Sequence, residues 1–195
     1  MPHAFIMDFA GGSMADYDAV VEKMGLAGRL PAGALAHVAA PSDGGLRVMD
    51  VWEAPETFER FAGEQIGPLS GEQGMAPPEI RSFACHRFHR ASDERPAFAQ
   101  MVVMPGVDLP TFDRLDEQIR TSADAWPEGI VWHAVGLLGD SACVIDTWRD
   151  KALRDRFMET QVAPVMQSAP LTGAPGIEEY AVHGSLDPAG AGAAA

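Results

Sequence analysis

Cysteine is scarce in this sequence, and its scarcity excludes several classes of protein. Cys85 and Cys143 are the two cysteines among 195 residues, and neither has a second cysteine close to it. A disulfide framework and a C-x-x-C metal or redox pair are therefore excluded. The G-x-S-x-G elbow, the P-loop and the G-x-G-x-x-G fingerprint are also missing, so the common nucleophile and phosphate-binding motifs give no guide to function.

Long apolar runs are missing as well. No stretch approaches the 18 or so consecutive apolar residues of a membrane-spanning helix. The N-terminus, which begins Met1-Pro2-His3-Ala4, has no basic region followed by an apolar run, so a signal peptide is not expected. We therefore expect a cytoplasmic protein with no membrane partner.

Basic residues are outnumbered two to one. Lys and Arg total 14 against 28 Asp and Glu, which gives a net charge of −14. Such a surface repels phosphate backbones, so nucleic acid is not an expected partner. What the chain does have is 47% apolar and 22% charged residues, the profile of a globular protein long enough for one domain or two small ones.

The most informative feature is an internal repeat. Residues 31–68 match residues 127–164 at ten of 38 positions without a gap, which indicates a duplication. In each copy a Pro-x-Gly-x3-His segment is followed by Asp-x-Trp. We assign 1–90 to the first repeat, 91–96 to a polar linker, 97–184 to the second repeat and 185–195 to a flexible tail.

The same order of elements is predicted in both repeats. Alternating apolar residues predict strands, and apolar residues at helical spacing predict helices. Each repeat then reads β-α-β-β-α-β, the ferredoxin-like order. The fold class is therefore α+β. The predicted strands are 3–9, 34–40, 46–52 and 80–88, with 97–104, 130–137, 141–148 and 177–184 in the second repeat, and the second helices are 55–66 and 151–162.

This order, the repeat length and the His and Asp-x-Trp motifs resemble the dimeric α+β barrel superfamily in a fused, tandem form. The resemblance implies two ferredoxin-like repeats packed sheet to sheet, with a mostly apolar cavity between the sheets. Members include cofactor-free monooxygenases and cyclases of antibiotic biosynthesis, muconolactone isomerase-like enzymes and heme proteins of the chlorite dismutase type. It also implies either a monomer with a pseudo-two-fold axis or a homodimer.

Two histidine–aspartate pairs are the candidate catalytic residues. His37 precedes Asp50 by 13 residues, and His133 precedes Asp146 by the same interval. In a hairpin, one pairing register brings each pair together, whereas a one-residue slip places them on opposite faces. A carboxylate that fixes the imidazole tautomer makes a general base. Alternatively, each histidine serves only the packing of the sheet.

Further aromatic and imidazole side chains are candidates for binding a substrate. Trp52 and Trp148 follow the aspartates by two residues and share their strand face, where they either stack on a planar ligand or fill the core. Trp126 and Trp132 occur only in the second repeat, which reflects either divergence of the two cavities or drift. His86 and His183 lie on the fourth strands, but no local metal-binding motif surrounds them, so no metal site is predicted.

Two functions remain open from sequence alone. The first is a cofactor-independent cyclase, isomerase or monooxygenase of secondary metabolism, acting on an apolar, aromatic, polyketide-like molecule by His/Asp acid–base chemistry. The second is a non-catalytic protein that binds a ligand or heme through one of the repeated histidines. Because the residues around the two dyads have diverged, we expect His37 or His133, but not both equally, to carry the function.

Overall fold

The computed structural model describes residues 1–119, 126–169 and 171–188. They divide into two compact units. The first contains Met1–Ala84 together with the described residues from Tyr180 onward, and the second contains Cys85–Glu179. Each unit is an antiparallel sheet with helices on one face, as the chain order predicts.

The first unit begins with a strand, a helix and a β-hairpin. Its elements are β1 His3–Ala10, α1 Met14–Met24, β2 Ala34–Ser42, β3 Gly45–Trp52, α2 Pro55–Phe61, α3 Gly67–Glu72, β4 Glu79–Arg90 and β9 Gly184–Ser185. A π-helical turn over Ala62–Ile66 joins α2 to α3. β1 pairs with β3 and with the first half of β4, and β2 pairs with β3 and β9, always antiparallel.

The second unit repeats this arrangement. The elements of this unit are β5 Phe98–Met104, α4 Leu109–Ile119, β6 Ile130–Leu138, β7 Ser141–Trp148, α5 Lys151–Phe157, α6 Ala163–Ser168 and β8 Gly176–Ala181. A π-helical turn over Met158–Val162 joins α5 to α6. β7 pairs with β5 and β6, and β6 pairs with the second half of β4 from Cys85 to Arg90.

Local sequence explains where the first helix begins and why a π-helical turn interrupts the second helix of each unit. Ser13 accepts a hydrogen bond from the Asp16 backbone N–H, and the Asp16 carboxylate accepts one from Ser13 N–H, so α1 starts with a capping box. Pro68 and Pro164 lie in the first turn of α3 and α6. Because proline lacks an N–H and its ring crowds the preceding turn, a π-helical turn precedes each.

The core of each unit lies between its sheet and its helices. In the first unit Phe5, Met7 and Phe9 alternate along β1 and pack with Tyr17 and Phe58 from the helices. In the second unit Met104 and Val144 pack with Phe112, and Trp148 packs with Phe98 and Ile130. This one-sided helical layer positions the site described below.

The compact units and the sequence repeats divide the chain at different residues. Residues 85–90, assigned to the first repeat, pair with β6 of the second unit. The segment after Tyr180 belongs to the first unit, where Ser185 pairs with Val38 and Leu186 is buried. A flexible tail from residue 185 therefore does not describe residues 185–188, because an apolar side chain anchors them. Residues 189–195 of that predicted tail lie outside the described residues.

The predicted α+β class and ferredoxin-like order are confirmed in both units. The predicted strand positions agree with the structure to within a few residues. The second helix of each repeat is predicted to end at 66 or 162, whereas in the structure a π-helical turn there leads into α3 or α6, which end at Glu72 and Ser168. None of the helices in the described part of the chain combines the length and the apolar character needed to cross a membrane.

Candidate functional site

The second unit brings His133 and Asp146 together. The two residues are direct partners in the register of β6 and β7, and His133 Nδ1 lies 2.7 Å from Asp146 Oδ1. Both side chains are buried, with exposed fractions of 7% and 10%. Because a carboxylate only accepts hydrogen bonds, Nδ1 carries a proton and donates it, which in the neutral imidazole leaves the lone pair on Nε2.

His133 Nε2 has no hydrogen-bond partner among the described residues, although it is buried. A buried polar atom without a partner costs about 1–3 kcal/mol. Such atoms are rare in native proteins and call for an explanation. A ligand that donates a hydrogen bond to Nε2 would remove this cost.

A cavity of about 570 Å³ lies against this imidazole. The strands β5, β6 and β7 form one wall, and helices α4, α5 and α6 form the wall opposite, so the cavity lies between the sheet and the helices of the second unit. The expectation of a main cavity enclosed by two sheets is wrong for this cavity, because its lining residues come from one sheet and from the helices that cover that sheet. Its walls are mostly apolar, with Val102, Met104, Phe112, Ile130, Met158 and Met166 among them.

The Asp146 carboxylate has a second polar partner. Gln100 on β5 donates from Nε2 to Asp146 Oδ2 over 3.0 Å, and its amide oxygen accepts a hydrogen bond from Arg154 Nε over 2.7 Å. Arg154 is itself buried and also donates to Asp155 and Glu179. A continuous hydrogen-bonded series therefore runs from Arg154 through Gln100 and Asp146 to His133.

The first unit contains the same dyad with a different outer partner. His37 and Asp50 are paired across β2 and β3, and His37 Nδ1 lies 2.7 Å from Asp50 Oδ1. Here, however, the Tyr17 hydroxyl lies 2.8 Å from His37 Nε2. Burial, followed by the charges of Asp50 and Asp18, raises the pKa of Tyr17 well above its usual value. The phenol therefore stays protonated and donates to His37.

The cavity beside His37 is small, at about 60 Å³. The rings of Phe5 and Phe58 stack in the core of the same unit, with centroids 3.8 Å apart. In strand register, Phe5 faces Asp50 as Gln100 faces Asp146. Two aromatic rings thus stand in the first unit where the second has Gln100 and Arg154, and the cavity beside the second dyad is the larger of the two.

The tryptophans are placed mainly in the cores. Trp52 lines the small cavity and donates from Nε1 to Asp50 Oδ2 over 3.4 Å. Trp148 packs with Phe98, Ile130 and Phe157, does not line the larger cavity, and its Nε1 has no partner in the described part of the chain. Trp132 lies on the opposite strand face from His133 and packs against Phe88. The structure therefore does not bring Trp132 or Trp148 to the cavity of the second unit.

His86 and His183 also lie away from the cavities. His86 Nε2 is 3.0 Å from the Asp113 carboxylate on α4, and His183 Nε2 is 3.0 Å from the Asp18 carboxylate on α1. All four side chains are substantially exposed. Each pair attaches an exposed histidine to the first helix of a repeat, and neither histidine lines a cavity. The prediction that His183 lies on the fourth strand is wrong, because β8 ends at Ala181 and β9 begins at Gly184. No cluster of metal-binding side chains occurs within residues 1–119, 126–169 and 171–188.

Several residues of the site were missed by sequence reasoning. Gln100, Arg154 and the cavity side chain Phe112 carry no motif. Trp126, by contrast, is singled out in the sequence as a tryptophan of the second repeat alone. It lines the cavity, and its ring centroid lies 5.4 Å from that of His133. The available signal was the comparison of the two repeats: Arg154 stands where the first repeat has Phe58, and a buried polar residue that replaces an aromatic one marks a specialised site.

Comparison with solved structures shows a fold-level likeness over nearly the whole chain. A candidate monooxygenase from Fusobacterium nucleatum has a TM-score of 0.73 at 13% identity and covers 95% of this chain and 94% of its own. One from Lactobacillus acidophilus has a TM-score of 0.68 at 11% identity, covering 95% and 96%. An anthrone oxidase-like protein has a TM-score of 0.53 at 15% identity, covering 95% and 92%.

Sequence comparisons add nothing to this likeness. No protein-family model matches the chain, and no curated protein matches it. At these low identities the solved structures establish the fold alone. They confirm the ferredoxin-like α+β fold that the sequence resemblance implies.

Proposed function

We propose that the second unit holds the working site of a cofactor-independent enzyme that removes a proton from an apolar, aromatic small molecule. The observation that carries this proposal is His133 Nε2: buried, on the wall of a cavity of about 570 Å³, and without a partner among the described residues. His133 is the general base, and Asp146 is the group that holds its tautomer.

The proton transfer follows from the geometry. A C–H next to, or conjugated with, a carbonyl gives its proton to Nε2, and the electron pair stays on the substrate as an enolate. The imidazolium that forms is stabilised by the Asp146 carboxylate 2.7 Å from Nδ1. Return of the proton at another carbon gives isomerisation, and attack of the enolate on a second carbonyl carbon gives cyclisation.

Monooxygenation is the third outcome, and it requires dioxygen as a co-substrate. A methylene group and O₂ then give a carbonyl and one water, so that one oxygen atom enters the product and the other leaves with both hydrogens. The fold-level likeness to candidate monooxygenases and to an anthrone oxidase-like protein supports this reaction. An antibiotic-type, polyketide-like substrate fits the mostly apolar walls.

Anthrone is a direct probe of the proposal, because it is flat, apolar and acidic at the methylene conjugated with its carbonyl. Purified protein is mixed with anthrone in air, and oxygen uptake and anthraquinone absorbance are recorded. We expect turnover in the wild type, loss of it by about 10²-fold or more in His133→Gln, and retention of it in the matched His37→Gln. Equal rates in all three proteins would contradict the proposal.

Heme binding is the alternative that the same observation favours, because an unpartnered Nε2 is the atom that would ligate iron. The rest of the cavity fits heme poorly. Its charged lining residues include Asp116, Asp155 and Glu159, and the cation Arg154 is already paired with two carboxylates. The heme propionates would therefore meet negative charge. A Soret band on reconstitution, lost in His133→Gln, would establish the alternative.

A further inference from the structure

The first unit shows what a group bound to the dyad looks like. The Tyr17 hydroxyl lies 2.8 Å from His37 Nε2, and the planes of the two rings differ by 12°. The two rings are therefore nearly parallel. The flat ring of Tyr17 carries its hydroxyl to within hydrogen-bond distance of the imidazole nitrogen.

The surroundings hold the Tyr17 ring in that place. A Cβ built on Gly184 would come within 2.4 Å of the ring, so the backbone of β9 lies directly against it. The exposed His183 ring meets it edge-on, with centroids 6.1 Å apart. Tyr17 is thus a fixed part of the first site rather than a side chain that swings aside.

The second unit has no hydroxyl at the matching position of its first helix. Phe112 is the fourth residue of α4, as Tyr17 is of α1, and it lines the larger cavity with His133. Phenylalanine cannot donate to His133 Nε2, which is left without a partner in the described residues. The first dyad is therefore satisfied by a hydroxyl that the second unit does not supply.

We propose that Tyr17 is a built-in occupant of the first site, and that the open second site takes a ligand with the same chemistry: a neutral hydroxyl on a flat, apolar ring system. This rests on the proposed function, since it names the chemical class bound at that site: the hydroxyl takes the position at Nε2 that the acidic C–H of the substrate takes in the proton transfer. The ligand hydroxyl donates to His133 Nε2, as Tyr17 does to His37. A ligand that can only accept at that position leaves the Nε2 lone pair unpaired.

The test uses 1-naphthol and its methyl ether, which differ by the ability to donate. Binding of each to the full-length wild-type protein is measured by calorimetry. We expect 1-naphthol to bind at one site per chain and the ether to bind about tenfold more weakly, the ratio that a hydrogen bond of about 1.4 kcal/mol gives.

Phe112→Tyr is the decisive variant, because it places the Tyr17 hydroxyl in the second site. It should weaken 1-naphthol binding at least about tenfold. The matched control Phe88→Tyr, which adds a hydroxyl beside Trp132 and outside the cavity, should leave the affinity unchanged. Equal binding of naphthol and ether, or no binding of either, overturns the proposal. Should Phe112→Tyr fail to fold, the comparison of the two probes on the wild type still decides.

The outcome is separable from that of the proposed enzyme. Selective naphthol binding without anthrone turnover would support the ligand class and contradict the enzyme. Anthrone turnover that depends on His133, with naphthol and ether bound equally, would support the enzyme and overturn the ligand class.

Discussion

The two units carry the same histidine–aspartate dyad with the same Nδ1–Oδ1 distance, 2.7 Å. They differ in which residue of the dyad receives a further hydrogen bond from the protein. In the first, Tyr17 donates to the imidazole. In the second, Gln100 donates to the carboxylate, and the imidazole keeps an unpaired nitrogen. The repeated motif therefore does not itself distinguish a working site from a structural one; the residues around it do.

Replacing each aspartate by asparagine tests this difference most strongly. In Asp146→Asn the amide no longer holds His133 in the tautomer that leaves Nε2 free, so we expect anthrone oxidation to fall by about 10²–10⁴-fold. In the matched Asp50→Asn the rate should stay near that of the wild type. Oxygen uptake under saturating anthrone measures both. A similar loss in the two variants would mean that both dyads work.

The Gln100–Arg154 pair can be converted into the aromatic pair of the first unit. Gln100→Phe and Arg154→Phe each leave a buried polar group unpaired, so each should lower the free energy of unfolding by about 1–3 kcal/mol. The double variant should lose less than the sum, with a coupling of about 0.5–3 kcal/mol. Urea unfolding of the four proteins gives the cycle, and strictly additive losses would show that the two side chains do not act together.

Tyr17→Phe makes the first unit resemble the second. It leaves His37 Nε2 without its donor, and we expect a loss of about 1–3 kcal/mol in the free energy of unfolding at neutral pH. The pH dependence gives a second measurement. Because the folded pKa of Tyr17 is raised, the unfolded chain loses this proton first, and wild-type stability should fall as pH rises above about 10.

The Tyr17→Phe variant lacks that ionisation, so its stability should decline less over the same pH range. Parallel declines in wild type and variant would indicate that the Tyr17 hydroxyl is not buried against His37. Unfolding curves at a series of pH values between neutral and strongly alkaline distinguish the two cases.

Removal of a helix N-cap is expected to have the smallest effect on stability, and the effect should be the same in both units. Ser13 caps α1, and the Asp108 carboxylate accepts from the Thr111 N–H at 2.8 Å at the start of α4. Ser13→Ala and Asp108→Ala should each cost about 1 kcal/mol, measured by urea unfolding. A much larger cost in one unit would show that its first helix depends more on its cap than on packing.

Much of the fold was predictable because the repeat supplied every element twice. Periodicity located the strands, and the Pro-x-Gly-x3-His and Asp-x-Trp motifs marked the same hairpin in both halves. The hairpin register was not predictable, since a slip of one residue is compatible with either set of apolar positions. The structure pairs His37 with Asp50 and His133 with Asp146.

The cavity was harder to predict than the dyads. Its position between sheet and helices depends on how far α4 and α5 stand from the strands, and no residue pattern reports that distance. The selection of Gln100 and Arg154 as polar residues of the core depends on contacts between β5 and α5, which are far apart in sequence. The catalytic assignments of His133 and Asp146 remain predictions that the proposed assays test.

The division of the first unit along the chain has a consequence for biosynthesis. It is built from Met1–Ala84 and the segment from Tyr180, whereas the second unit, Cys85–Glu179, is continuous. Gly184, which lies against Tyr17, is synthesised after the whole of the second unit. During translation the second unit is therefore complete before the backbone that encloses Tyr17 has been made.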